Sequence, residues 1–121
     1  MLQTIIALAV AFSWRPRTKP PSTGTVIQNN RIHDCGRLPR EKPHHGIYVS
    51  DARGTLIIDN RIYGNDDRGI QLYPSSQATL VAGNVINANA NGQGVVFDGS
   101  SSNNTVRNNV LSSPVGSVVG P

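Results

Sequence analysis

With 121 residues, 12 Gly, a single Cys and a formal charge of +4, the chain has room for one domain. Few charged residues beside abundant Gly, Asn and Ser exclude a helical bundle, which leans on Ala, Glu, Lys and Leu. A lone Cys35 excludes an internal disulfide and a thiolate metal cluster, and it reads as a small buried hydrophobe.

The positive charge is uneven. Up to His45 there are seven basic residues against two acids, and from Gly46 onward four against five. A basic N-terminal third can meet an acidic polymer, nucleic acid or uronate polysaccharide, although a solvated loop with no partner is the stronger account of it. Spaced aromatics for base stacking are missing, so no nucleic-acid partner is expected.

Residues 1–23 form an apolar segment followed by a Pro-rich basic linker. The apolar run Leu2 to Phe12 is too short to span a bilayer. It reads either as a curtailed signal segment, with Ala9-Val10-Ala11 at a cleavage-like position, or as a β-strand from the start of a longer fold. The strand reading is preferred because a basic n-region is missing.

Residues 24–113 repeat. The segments TVIQNNRIHD, TLIIDNRIYG, TLVAGNVINA and TVRNNVLSS place Asn30, Asn60, Asn84 and Asn109 in one phase, 30, 24 and 25 residues apart. Three residues before each lie Ile27, Ile57, Val81 and Val106, and two after lie Ile32, Ile62, Ile86 and Leu111. A second marker opens GIYVSD, GIQLYP and GVVFDG: Gly46, Gly69 and Gly94, 23 and 25 apart. The apolar pairs Ile47/Val49, Ile70/Leu72 and Val95/Phe97 follow it. Alternation of period two means strands with one face buried. Three strands per unit and no helix between them rule out a doubly wound sheet. They fit a coil whose strands stack on those of the next, ~4.8 Å away.

This N-x-I…GI-x-V pattern resembles the right-handed parallel β-helix repeat family of the bacterial, pectate-lyase-like superfold. The predicted fold is therefore all-β, a solenoid of about four coils with three short strands each. The columns named above would fill its core, each side chain contributing roughly 1.5–3 kcal/mol. The phased asparagines would take left-handed turns and bond from coil to coil. Sixteen residues separate Asn30 from Gly46, so residues 36–43 (GRLPREKP) are an insertion loop. The tail, residues 114–121, is too short for a good cap, and a solenoid needs caps. The expected partners are thus the remaining coils of a longer parent chain, or a second copy joined through exposed end coils.

Stacking turns phase into proximity. Relative to the marker glycines, His44 falls beside Asp67, His45 beside Arg68, and Tyr48 beside Gln71. The loop residues Arg37, Arg40 and Lys42 overhang the same edge. Removing a proton from a uronate requires a base, a cation and an acid. His44 or His45 would be the base, Arg68 the clamp, Tyr48 the acid, and Asp67 the residue orienting His44. Gln71, Arg37, Arg40 and Lys42 would bind substrate. A structural role outweighs this one: His before Gly closes a turn, and NDDRG is an ordinary polar turn. No standard metal spacing joins His33, Asp34, His44 and His45. No metal or cofactor is expected.

The resemblance implies carbohydrate binding and lyase-like action on an acidic glycan, in an extracellular or cell-surface setting. No pectate-lyase motif and no paired aspartates followed by RIK are present, and RIH and RIY at Arg31 and Arg61 repeat with the coil. The second reading is a non-catalytic structural or adhesive module.

Overall fold

A computed structural model of the chain describes residues 3–5, 20–35, 45–65, 67–87, 94–97, 100–112 and 118–119. Strand β1 (Gln3–Ile5) comes first. The next coil runs β2 (Ser22–Thr23), β3 (Val26–Gln28), β4 (Asn30–His33) and β5 (Ile47–Val49). After it come β6 (Ala52–Arg53), β7 (Leu56–Ile58), β8 (Arg61–Tyr63) and β9 (Ile70–Leu72). The third coil holds β10 (Leu80–Ala82), β11 (Val85–Asn87) and β12 (Val95–Phe97). The fourth holds β13 (Thr105–Arg107), β14 (Val110–Ser112) and β15 (Val118–Val119).

Each strand pairs in parallel with its counterpart one coil away, giving sheets ordered β1-β4-β8-β11-β14, β3-β7-β10-β13 and β5-β9-β12-β15. This is the parallel β-helix predicted from the repeat. A narrow fourth ladder was not foreseen. It runs from β2 to β6 and continues as single bridges through Gln77 and Ser102. Two residues are too few to carry an alternation signal.

The core columns form in the expected register. Ile27, Ile57, Val81 and Val106 are partners in sequence, as are Ile32, Ile62, Ile86 and Leu111. Ile47, Ile70 and Val95 line up likewise, and so do Val49, Leu72 and Phe97. Most are wholly buried, while Phe97, Val106 and Leu111 at the far end are only partly covered.

The corners follow one rule, a left-handed residue and then an inward polar one. At the asparagine corner the left-handed residues are Asn29, Asp59, Gly83 and Asn108, with φ between 55° and 69°. The phased asparagines themselves do not have positive φ, which corrects the expectation above. They follow the bend, and their amides turn inward. Asn60 Oδ1 accepts from the backbone N–H of Asn30 at 2.9 Å and from its Nδ2 at 3.1 Å. Asn84 and Asn109 accept in the same way from the asparagine one coil earlier. Each of Asn60, Asn84 and Asn109 also donates Nδ2 to a buried-column carbonyl, of Ile27, Ile57 and Val81, at 2.9 Å. Such ladders satisfy backbone groups that the bend takes out of the sheets.

Shorter versions occupy other corners. Cys35 N donates to Asn65 Oδ1 at 3.1 Å, and Ser76 N to Ser101 Oγ at 3.1 Å. Cys35 is buried in its column, as a small apolar residue would be. Gly46 is required by close approach: a Cβ there would sit 2.7 Å from Gly69 O and from Ile62 Cγ2.

Candidate functional site

The candidate surface is the start of β5 and β9. Gly46 N–H donates to Arg68 O at 3.0 Å and Ile47 N–H to Gly69 O at 2.9 Å, so His45 stands over Arg68 as the stacking predicts. Tyr48, Gln71 and Val96 are partners on the outward side. Outward does not mean exposed here. Gln71 is 5% exposed and Val96 6%, so β9 is buried on both faces. The β3-β7-β10-β13 sheet differs, with Val26 on its outer face 53% exposed.

His45, Tyr48, Asp67, Arg68 and Gln71 are brought together. His44, Arg37, Arg40 and Lys42 lie outside the described residues. Asp67 is fully buried, and its Oδ2 is 3.5 Å from His45 Nδ1 and 3.8 Å from Arg68 Nη1. Of the described residues the histidine it meets is His45, and the expected partner His44 is not among them. Arg68 Nη1 donates to Gln71 Oε1 at 2.9 Å. The backbone N–H of Arg68 also points at His45 Nδ1, at 3.4 Å. Nδ1 can accept that bond or, protonated, donate to Asp67, but not both at once. Either way it is engaged inside the protein, and proton transfer to a substrate would fall to Nε2. The His45 ring stacks on Tyr48, centroids 5.5 Å apart and planes 11° apart. Burial pushes the Tyr48 phenol above its ordinary value, and Tyr73 adds to the effect.

A second outer cluster lies on β4 and β8, where RIH and RIY fall in register. Arg31 partners Arg61, and His33 partners Tyr63. The His33 and Tyr63 rings stack at 4.9 Å and 8°, and His33 Nδ1 is 2.7 Å from Asp34 Oδ2. Arg31 Nη2 donates to the Tyr63 hydroxyl at 3.1 Å. Reading RIH and RIY only as coil residues hid this group, whose signal was the two triplets sharing the coil phase.

Among the described residues no set of three His, Cys, Asp or Glu side chains could hold a metal ion. Nor is any helix there long and apolar enough to cross a membrane.

Residues 19–119 match the family model for the right handed beta helix region. The chain belongs to this family. The right-handed solenoid expected from the N-x-I…GI-x-V spacing is thereby established. Over 69 residues the chain is 36% identical to human F-box only protein 10, covering 57% of this β-helix chain and 6% of that protein. The chain therefore spans a small fraction of the length of that relative. No solved structure matches it significantly.

Proposed function

We propose that this β-helix is a non-catalytic interaction module, a rigid coil that displays side chains within a larger protein. The observation that carries the reading is the state of Asp67. The carboxylate that would orient a catalytic base is fully buried, and its charge faces His45 and Arg68 together. Arg68, the intended clamp, meets Asp67 and Gln71 rather than standing unopposed. Tyr48 is held as a weaker acid than an ordinary phenol. A network of this kind ties one coil to the next. The match to a segment of a much longer F-box only protein supports a module within a longer chain. The partly covered Phe97, Val106 and Leu111 support a further coil, or a second copy, against the β13–β14–β15 end.

Lyase-like action on an acidic glycan is the second reading, favoured by imidazole, phenol and guanidinium sharing one edge. An extracellular or cell-surface location and a bacterial source go with it, and the first reading needs neither. The test is incubation with alginate, pectin and glycosaminoglycans while unsaturated uronide absorbance is followed. The module reading expects no product from any of them. Product that disappears in His45→Ala and Arg68→Ala would overturn it.

A further inference from the structure

We propose that the outer face of the β1-β4-β8-β11-β14 sheet carries a binding site for a phosphate monoester, built from Arg31, Arg61 and the Tyr63 hydroxyl. This surface is separate from the His45 edge, and the inference does not depend on whether that edge is catalytic.

Arg31 and Arg61 are direct partners on neighbouring strands and both are exposed. Their backbones are ~4.8 Å apart. Like charges placed opposite each other on a sheet face are unfavourable. An anion bound between them removes that repulsion and gains two guanidinium forks. Ion pairs among the described residues engage His33, His45 and Arg68, and neither of these two arginines.

The site is also held in place. Asp34 fixes His33, His33 stacks on Tyr63, and the Tyr63 oxygen accepts from Arg31. With its oxygen so occupied, the tyrosine has its own proton to donate to a ligand. Ordering that exists before binding lowers the entropy lost on binding. The array is confined to two coils, because the arginine column continues as Val85 and Val110, and the other as Asn87 and Ser112.

The ligand class follows from charge and shape. Two guanidinium groups and a hydroxyl offer more donors, and more positive charge, than one carboxylate uses. A phosphate monoester is a dianion above its second ionisation near pH ~6 and has three acceptor oxygens. The cluster also holds the Asp34 carboxylate, and its charge opposes binding although it is engaged with His33.

The test is a titration of the whole chain with phenyl phosphate at pH ~8, where the probe is dianionic, followed by amide chemical shifts. Saturable shifts in β4 and β8 are expected. Arg31→Gln and Arg61→Gln should each weaken binding about tenfold, the loss of one charge-assisted contact. Tyr63→Phe keeps the ring stack and should weaken it by a smaller factor, while Asp34→Asn, which removes the opposing charge and keeps an oxygen that can hold His33, should tighten it. Arg53→Gln, an exposed arginine on β6, should change nothing. Benzoate and phenyl sulfate, both monoanions, should bind less tightly than phenyl phosphate. Three results would each overturn the site: no saturable shift, equal weakening by Arg53→Gln, or benzoate binding as tightly as phenyl phosphate. All the substituted positions except Tyr63 have exposed side chains, so retained amide dispersion will separate lost binding from lost fold.

Discussion

The third coil and the fourth are built alike and buried differently. Val81 lies between Ile57 and Val106 and is wholly buried, whereas Val106 is only partly covered. Asn84 is 0% exposed, and Asn109, in the same phase one coil on, is half-buried. Their ladder bonds are nearly equal in length. A coil is thus sealed by the coil that follows it, and the same bond is worth more where water cannot replace it. Alanine at the two asparagines breaks or upholds this comparison. Asn84→Ala removes the acceptor of Asn60 N–H and Nδ2 and the donor to Ile57 O, all of them buried. The expected cost is about 3 kcal/mol, since each orphaned group costs 1–3. Asn109→Ala removes three side-chain bonds, one fewer than Asn84→Ala, and opens them to solvent, for about 1 kcal/mol. Denaturant midpoints measure both, and equal losses would contradict the idea that the next coil confers the value.

The contrast between covered and open surface also sets a pH dependence. Tyr48, on the outer side of β5, is half-buried, whereas Tyr73 is 41% exposed. Burial, and secondarily Tyr73, raise the Tyr48 phenol above the ~10 it has in an unfolded chain. The unfolded chain therefore releases its proton first as pH climbs. Stability is fully present below pH ~10 and is lost as pH rises through the folded value. Tyr48→Phe should flatten the alkaline arm of the denaturation profile. Tyr73→Phe removes only the lesser cause and should flatten it less. An alkaline arm unchanged by Tyr48→Phe would show that this ring is not held away from water.

The interior was legible because it obeys two periods at once. Alternation marks Ile57 and Ile62 as inward, and recurrence at 24 or 25 residues stacks them on Val81 and Ile86. Those two constraints name the core and the asparagine ladder without coordinates. Outer side chains obey only the second. The coil phase set His45 over Arg68, but did not show that the Asp67 carboxylate is fully buried and also faces His45. The bend was misplaced by one residue for a related reason: either asparagine of the pair Asn29–Asn30 tolerates left-handed φ. Only the fold decides which one bends and which points in. The RIH and RIY triplets stayed hidden because alternation accounts for Ile32 and Ile62 and is silent about their flanks.

The smallest effect tests the comparison from the other end of the solenoid. Thr25, Thr55, Thr79 and Asn104 occupy one phase, each just after a left-handed residue: Gly24, Gly54, Ala78 and Asn103. Asn104 completes its corner, accepting from Thr79 N–H at 2.9 Å and donating to Ser76 O at 3.1 Å. The two inner threonines do less. Thr55 Oγ1 and Thr79 Oγ1 are buried without a hydrogen-bond partner among the described residues. An orphaned buried hydroxyl costs free energy that an apolar group of the same shape does not. Thr55→Val should therefore stabilise the fold by up to about 1 kcal/mol. Thr25→Val, in the first coil where the residue is only half-buried, should gain nothing, because its hydroxyl can reach water. A gain at Thr25 equal to that at Thr55 would mean that β propensity, not burial between coils, sets the value of this column.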